Sequence, residues 1–286
     1  MIALGLIGHP VAHSRSPAMM RAALDAMGLA GTYTAFDVAP ESLGDAVRAM
    51  GALGFAGANV TLPHKVAVME WLVEVEPSAR RAGAVNTLAR AEGGYVGINT
   101  DVEGLAAALA EGGVTVRDAD AVVLGAGGAA RAAVATLWLG GARSVTVIAR
   151  DGAKADALAG RAWGDARVRG AAAGSAQARE ALGAMDVVVQ CTPCGMDGGP
   201  AAEGAIALSP AAWCRAGARA MELVYAPRET GWTRAMRGAG LAVVEGGGLA
   251  MLAAQGAAAL SRWTGRAAPV DVMRAALEVD VRGGGA

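Results

Sequence analysis

The chain has 286 residues, of which 54% are hydrophobic and 18% are charged. This composition excludes an intrinsically disordered protein. The length is enough for one large domain or two ordinary ones. The formal net charge of −1 gives no long-range field to attract nucleic acid or an anionic membrane, so we expect neither as a partner.

The first third of the chain alternates apolar strands with helical patterns, which is typical of an α/β domain. A helix begins at Pro17, because proline is favoured in a first turn and apolar residues follow at helical spacing. Ser14 or Ser16 is predicted to cap it. Strands are predicted at Ala3–Ile7, Tyr33–Val38, Ala56–Thr61, Gly83–Leu88 and Tyr95–Ile98, and helices at Pro17–Met27 and Ser42–Met50.

Two segments of this region carry side chains suited to an anionic or polar ligand. Ser14 and Ser16 could present two hydroxyls, beside the free N–H groups of a helix start, to a carboxylate. The segment Asn59–Lys65 places Lys65 at a predicted helix start, where a cation is poorly matched to the helix dipole. We therefore interpret Lys65 as a functional residue, with a solvent-exposed lysine as the alternative.

The segment Ala121–Arg131 reads as strand, glycine turn and helix. Gly125, Gly127 and Ala130 have the G-x-G-x-x-A spacing, in which the first glycine allows the turn and the second admits a pyrophosphate. The helix N-terminus would offer N–H groups to the phosphates. A second strand at Ser144–Ile148 completes a βαβ unit of about 30 residues, which favours a dinucleotide site over a merely structural turn.

Strands and helices continue to alternate as in a parallel, doubly wound sheet. Strands are predicted at Val168–Ala173, Asp186–Gln190, Ala218–Val224 and Leu241–Val244, and helices at Val102–Glu111, Ala129–Leu139, Leu249–Trp263 and Val270–Leu277.

No membrane span or targeting segment is predicted. The uncharged run from Gly246 to Ser261 is shorter than the ~20 apolar residues that cross a bilayer. The first residues lack the basic segment of a signal peptide. We expect a cytoplasmic protein, whose cysteines stay reduced.

The cysteines and histidines do not predict a metal site. Cys191 and Cys194 have C-x-x-C spacing, but no second pair and no nearby histidine completes a zinc site. His9 and His13 are separated by Pro10, and no glutamate follows His9, so a metalloprotease helix is not supported. We expect no metal cofactor.

Seven short motifs occur in an order that chance would rarely give: Ser14–Pro17, Asn59–Lys65, Gly83–Thr87, Asn99–Asp101, Gly125–Ala129, Tyr225 and Gly248–Gln255. Their order and spacing resemble those of the shikimate dehydrogenase family, over essentially the whole chain. The resemblance implies an N-terminal α/β substrate domain, residues 1–101 completed by helices in residues 246–286. It implies a Rossmann-type, doubly wound dinucleotide-binding domain at residues 102–245.

The resemblance also implies a substrate, shikimate or 3-dehydroshikimate, and roles for the matching residues. The acid/base group would be Lys65, paired with Asp101. The substrate would be held by Ser14, Ser16, Thr61, Asn86, Asp101, Tyr225 and Gln255. The pyrophosphate would lie on Gly125, Ala126, Gly127, Gly128 and Ala129, and the nicotinamide beside Leu223 and Gly248. The protein would be a monomer or a homodimer.

The lysine–carboxylate pair suits this chemistry. A ketone that receives a hydride needs a proton for the developing alkoxide. Lys65 can stabilise that oxygen and donate to it, while Asp101 fixes the lysine. The expected reaction is the NADPH-dependent, reversible reduction of 3-dehydroshikimate to shikimate, in the synthesis of chorismate and aromatic amino acids.

The cofactor preference depends on the end of the second cofactor strand. An NAD site usually has Asp or Glu there, whereas this chain has Ala149 and Arg150. Arg150 can make a forked contact with a 2′-phosphate, and Lys154 adds a second cation. Asp151 opposes this, because its carboxylate would repel a phosphate. Two cations against one anion predict NADP, with NAD as the weaker alternative.

Two alternatives stay open. One is the same chemistry on quinate, usually with NAD; Ser16 favours shikimate, because quinate-preferring relatives often have threonine there. The other is a non-catalytic relative that only binds the metabolite. Such a protein has no need of Lys65 and Asp101, yet both are present.

Overall fold

A computed structural model describes residues 1–161, 163, 167–196, 199, 208 and 214–283 of the chain. The chain divides into two compact units, the first comprising Met1–Gly104 and Leu252–Ala286 and the second Leu105–Met251. Both unit borders lie inside helices, close to the predicted domain borders after residues 101 and 245.

The helices and strands follow in chain order. The first part contains β1 (Ile2–Gly8), α1 (Ser16–Ala26), β2 (Gly31–Asp37), α2 (Leu43–Ala52), β3 (Gly57–Val60), β4 (Glu74–Val75), α3 (Pro77–Ala82), β5 (Thr87–Ala91), β6 (Gly94–Ile98) and α4 (Thr100–Glu111). Short 3₁₀ helices lie at Pro40–Ser42 and Ala67–Trp71. Then come β7 (Asp120–Leu124), α5 (Gly128–Leu139), β8 (Ser144–Ala149), α6 (Gly152–Ala159), β9 (Val168–Ala172), α7 (Ala176–Ala184), β10 (Val187–Gln190), β11 (Arg219–Glu222), α8 (Gly231–Gly238), β12 (Ala242–Val243), α9 (Gly247–Thr264) and α10 (Val270–Gly283).

The first unit is built on a six-stranded mixed sheet in the order β2-β1-β3-β5-β6-β4. β1 pairs in parallel with β2 and β3, whereas β5 runs antiparallel to β3 and β6. The pairing of Asn59 with Thr87 across β3 and β5 brings two of the resembling motifs side by side. The apolar face of α1 is buried through Met19, Met20, Ala23 and Leu24.

The second unit is built on a six-stranded sheet in the order β12-β11-β10-β7-β8-β9. All its strand pairs are parallel. Counted from β7, this is the strand order 3-2-1-4-5-6 of the dinucleotide-binding fold. The order reverses between β7 and β10, so the end of β7 lies at the topological switch point, where such sheets bind ligands. The predicted α/β fold with a Rossmann-type sheet is confirmed.

One predicted strand begins in the wrong place. We predicted a strand at Gly83–Leu88, but Gly83 is the C-cap of α3 in the left-handed region, with φ of 66°. A residue without Cβ is favoured there, and the strand β5 begins only at Thr87. Ala91 and Gly94 pair at the end of the β5–β6 hairpin, next to the predicted strand at Tyr95–Ile98.

Candidate active site

Lys65 and Asp101 form a close ion pair in the first unit. Lys65 Nζ donates to Asp101 Oδ2 at 2.6 Å, and the two side chains are only 15% and 7% exposed. Lys65 lies in a turn before the 3₁₀ helix Ala67–Trp71, so the prediction that it begins a helix is wrong. The reason for the lysine is therefore its carboxylate partner, since a buried charge requires one.

Asn86 fixes the other oxygen of the carboxylate. Its Nδ2 donates to Asp101 Oδ1 at 2.8 Å and lies 3.2 Å from Gln255 Oε1. Its Oδ1 accepts from the backbone N–H of Thr100 at 2.7 Å. The side chain of Asn86 is thus held from both ends. The structure brings together Lys65, Asp101, Asn86 and Gln255, all of them predicted site residues.

A glycine lets Gln255 reach this cluster. A Cβ placed on Gly104 would lie 2.7 Å from Gln255 Cβ and 2.8 Å from its backbone nitrogen. Any larger residue at 104 would therefore push α4 and α9 apart. Gly104 is one turn beyond Asp101 on α4, so the close approach places Gln255 at the same end of the helix as the ion pair.

A second layer of buried polar groups supports the cluster. Thr87 Oγ1 donates to Asn86 Oδ1 and lies 3.0 Å from Thr100 Oγ1. Asn59 Nδ2 donates to Thr87 Oγ1 at 3.1 Å, and Asn59 Oδ1 accepts from the Tyr33 hydroxyl at 2.8 Å. Of the supporting residues Tyr33, Asn59, Thr87 and Thr100, all but Tyr33 lay in motifs of the resemblance, and none was assigned a role.

The two serines lie at the start of α1. The predicted serine cap is wrong: the N-cap is Arg15, without a side-chain capping bond, and Ser16 is the first helical residue. Ser14 Oγ accepts from the Ser16 N–H at 3.3 Å. Burial raises the pKa of Tyr33, and its hydrogen bond with Ser16 acts in the opposite direction. Tyr33 thereby links Ser16 to Asn59 and the cluster.

Thr61 follows β3 directly. Its backbone N–H donates to Ile7 O at 2.8 Å, and its carbonyl accepts from the His64 N–H at 2.9 Å. The neighbouring His64 is buried, and its Nε2 lies 2.7 Å from Val38 O. These contacts fix the turn that carries Lys65. They do not by themselves join the Thr61 side chain to the Asp101 cluster.

The glycine loop between β7 and α5 has room for a ligand group. Gly125 has φ of 106°, a conformation that L side chains rarely adopt. A Cβ at Gly127 would meet no atom within 4 Å, so the space above it is open. Gly127 is also the N-cap of α5 and has no side chain to occupy the free N–H groups. The predicted set Gly125, Ala126, Gly127, Gly128 and Ala129 therefore fits a pyrophosphate.

The end of β8 carries the predicted specificity residues. Ala149 is buried and Arg150 is exposed. Asp151 is the N-cap of α6, where its Oδ1 accepts from the N–H groups of Ala153 and Lys154 at 3.0 and 3.3 Å. Lys154 Nζ lies 3.8 Å from Asp151 Oδ2, with side chains 76% and 52% exposed. The Asp151 carboxylate, which was expected to repel the 2′-phosphate of NADP, caps α6 instead.

The end of β11 carries Glu222, Leu223 and Tyr225. Burial raises the pKa of Glu222 to about 7, while a hydrogen bond from Thr230 lowers it in part. A Cβ on Gly248 would lie 2.7 Å from Leu223 O, so only glycine fits there without a shift of backbone. Leu223 and Gly248 are therefore neighbours, and their place beside the nicotinamide stays a prediction. Tyr225 lies two residues further along the same segment.

The described residues contain neither a membrane span nor a metal cluster. No helix in this part of the chain is long and apolar enough to cross a membrane. No group of three or more His, Cys, Asp or Glu side chains among these residues could hold a metal ion. Cys191 Sγ donates to Val189 O at 3.8 Å, and burial raises the pKa of this thiol.

Three family models match successive parts of the chain. The shikimate dehydrogenase substrate binding domain matches residues 6–88, shikimate / quinate 5-dehydrogenase matches residues 106–195, and the shikimate 5′-dehydrogenase C-terminal domain matches residues 248–278. The first model contains the Lys65 turn and Asn86, and the second contains the glycine loop.

Whole-length relatives agree with these models. Shikimate dehydrogenase (NADP(+)) of Symbiobacterium thermophilum is 47% identical over 276 residues, covering 96% of this chain and 92% of that protein. The crystal structure of shikimate 5-dehydrogenase from Thermus thermophilus in complex with NADP(H) and shikimate has a TM-score of 0.83 at 37% identity, covering 98% and 99% of the two chains. Quinate dehydrogenase from Corynebacterium glutamicum in complex with NAD has a TM-score of 0.85 at 33% identity, covering 97% and 99%.

Proposed function

Because this chain belongs to the shikimate dehydrogenase family, we propose that it is an NADP-dependent enzyme that reversibly reduces 3-dehydroshikimate to shikimate. The observation that carries the proposal is the partly buried pair of Lys65 and Asp101, with Asn86 on the second carboxylate oxygen. The reaction is the one expected from the sequence, and its place is the synthesis of chorismate and aromatic amino acids.

The first unit would bind the substrate. Ser14 and Ser16 lie at a helix start, where hydroxyl and backbone N–H groups suit a carboxylate. Asn86, Asp101 and Gln255 present amide and carboxylate oxygens that suit ring hydroxyls. Because Asn86 is held from both ends, these polar groups are oriented before the substrate arrives, which lowers the entropic cost of binding. Thr61 completes the substrate contacts that we propose for this unit.

Lys65 would handle the proton. In the reducing direction, Lys65 Nζ–H donates to the carbonyl oxygen that becomes the alkoxide, and in the oxidising direction neutral Lys65 accepts the hydroxyl proton. Asp101 holds Nζ in place and stabilises its positive charge, while Asn86 holds Asp101. When bound, the nicotinamide cofactor supplies or accepts the hydride.

The second unit would bind the cofactor. Gly125, Ala126, Gly127, Gly128 and Ala129 offer the pyrophosphate a loop free of large side chains and a helix N-terminus. Arg150 and Lys154 would attract the 2′-phosphate from the exposed end of β8, with Ala149 beneath them. Asp151 uses its Oδ1 on the α6 cap, which supports NADP over NAD. Leu223 and Gly248 would lie beside the nicotinamide.

Steady-state kinetics of the purified protein with both acids and both cofactors tests the proposal directly. Losing a positioned acid/base group costs about 10²–10⁴-fold in rate, so Lys65→Ala should lower kcat by that factor with little change in KM. Lys65→Arg is the matched variant, because it keeps the charge and a donor for Asp101 but is a poor acid. Near-native kcat in Lys65→Ala would exclude Lys65 from the proton transfer.

Quinate with NAD is the second candidate, supported by the similarity to quinate dehydrogenase in complex with NAD. A higher kcat/KM with quinate and NAD than with shikimate and NADP would decide for it. A non-catalytic metabolite-binding relative is disfavoured, because the Lys65–Asp101 pair is assembled and largely shielded from solvent. Cytoplasmic location and a monomeric or homodimeric state stay predictions; size-exclusion chromatography with light scattering tests the latter.

A further inference from the structure

The segment Leu223–Glu229 joins β11 to α8 in the second unit and carries Leu223 and Tyr225. Both residues that flank it are buried, since Glu222 is 5% exposed and Thr230 is 2% exposed. The segment itself is half-buried up to Ala226 and exposed beyond it. The segment is thus anchored at two buried ends, and its last residue, Glu229, also contacts Arg234 and Arg237 of α8.

One hydrogen bond joins those ends. Thr230 Oγ1 donates to Glu222 Oε2 at 2.5 Å. The same Thr230 oxygen accepts from the Thr233 N–H at 3.1 Å, as the N-cap of α8, and Thr233 Oγ1 accepts from the Thr230 N–H in return. A single hydroxyl thus closes the loop and starts the next helix.

The first residue of the loop is held by two other elements. Leu223 N–H donates to Gln190 O at 3.1 Å, which extends the β10–β11 pairing by one residue. The first turn of α9 packs closely against the same residue, since a Cβ on Gly248 would lie 2.7 Å from Leu223 O. Both ends of the loop, Leu223 and Thr230, are therefore held in place by neighbouring elements.

Stability alone does not explain a glutamate at this position. Among the described residues Glu222 Oε1 is buried without a hydrogen-bond partner, and an unpaired buried acceptor is destabilising. An apolar residue of similar size would avoid that cost, and Thr230 could still cap α8. The carboxyl group is better explained by what its other oxygen does, which is to hold Thr230.

We propose that Glu222 is a positioning residue whose hydrogen bond with Thr230 holds Leu223–Glu229 in the conformation that receives the nicotinamide end of NADP(H). The inference rests on the proposed cofactor role of Leu223. If the bond is removed, the receiving conformation becomes only partly populated, and the apparent affinity falls by that fraction. A hydrogen bond to an ionisable group is strong enough for about a tenfold effect.

The test compares Glu222→Leu, which removes the acceptor and leaves the α8 cap, with Glu222→Gln, which keeps an acceptor oxygen. Trypsin cleavage at the exposed Arg228, with the fragment identified by mass spectrometry, reports on the loop without any activity. NADPH fluorescence titration reports on affinity. We expect Glu222→Leu to be cleaved about tenfold faster and to bind NADPH about tenfold more weakly, with kcat within about twofold of wild type. Glu222→Gln should restore most of the resistance to trypsin and most of the NADPH affinity.

Ser175→Ala is the control, because Ser175 caps α7 in the same unit and its loss lowers stability without touching the loop. If Glu222→Leu does not fold, Thr230→Val takes its place, compared with Thr230→Ser, which keeps the hydroxyl. Unchanged cleavage at Arg228 and unchanged NADPH affinity in the variant without the bond would overturn the proposal. Faster cleavage in a protein that oxidises neither shikimate nor quinate would support the positioning role and refute the proposed function.

Discussion

The buried carboxyl of Glu222 predicts a pH dependence of stability that can be worked out in sign and size. Its pKa is raised from 4.5 to about 7 in the folded protein. Between these values the unfolded chain loses the proton while the folded protein keeps it, so the free energy of unfolding falls as the pH rises. The stabilisation is fully present below pH 4.5 and is lost above about pH 7.

The slope for one such group approaches about 1.4 kcal/mol per pH unit. Between pH 5 and pH 8 the Glu222 contribution therefore amounts to about 2 to 3 kcal/mol as an upper limit. Glu222→Gln removes it, because the amide is neutral in both states. The variant leaves a buried N–H group in place of Oε1, which shifts its stability at every pH but does not change the slope.

Urea denaturation of wild type and Glu222→Gln at several pH values, followed by far-UV circular dichroism, measures the difference. The advantage of wild type over the variant should shrink by about 2 to 3 kcal/mol from pH 5 to pH 8. Glu180→Gln, on an exposed glutamate of α7, is the matched control and should keep the wild-type slope. Parallel curves for wild type and Glu222→Gln would refute the raised pKa.

Two further predictions concern the two ligand sites. Asn86→Asp replaces the N–H group that donates to Asp101 Oδ1 at 2.8 Å with a second carboxylate. The proposed acid/base pair then loses its position, so kcat/KM for shikimate should fall by about 10²-fold or more. A fall of less than about threefold would contradict the proposal that Asn86 holds Asp101 in place. Asp151→Asn keeps a side chain that caps α6 equally well and removes one negative charge, so the ratio of KM for NAD to KM for NADP should rise about threefold or more while the melting temperature stays the same. An unchanged ratio would show that Asp151 does not influence the 2′-phosphate.

The cofactor unit was largely predictable from the sequence, and the reason is local. Gly125 and Gly127 are constrained by the turn they form, and β7, α5 and β8 follow one another within a single βαβ unit. Three helices of this unit were nevertheless not predicted, although Asp151, Ser175 and Thr230 cap them and are readable signals of a helix start. Alanine-rich sequences with little apolar periodicity obscured α6 and α7, whereas α8 is amphipathic but only eight residues long.

The substrate cluster depends on contacts that local patterns do not contain. Asn86 and Gln255 are 169 residues apart, and Tyr33 and Asn59 are 26 apart. Only the resemblance to a family placed Lys65, Asp101, Asn86 and Gln255 together. The supporting residues Tyr33 and Thr87 gave no separate signal, because tyrosine and threonine are ordinary strand residues. Thr100, the first residue of α4, gave none either.

The interpretation of Lys65 as functional stays a prediction, and the reason first given for it does not hold, because Lys65 lies in a turn. Lys65 is not the first residue of a helix, so the helix dipole no longer explains it. Its low exposure does, because a charge shielded from water requires a partner of opposite charge. Replacing a buried ion pair with apolar residues is often neutral or stabilising, so such a pair is weak evidence for stability. Here the carboxylate is held by Asn86, which is itself held by Thr87 and Thr100, so several groups hold one lysine Nζ in place. Such an arrangement contributes little stability; we infer that it serves the proposed proton transfer, by fixing Lys65 Nζ before the substrate arrives.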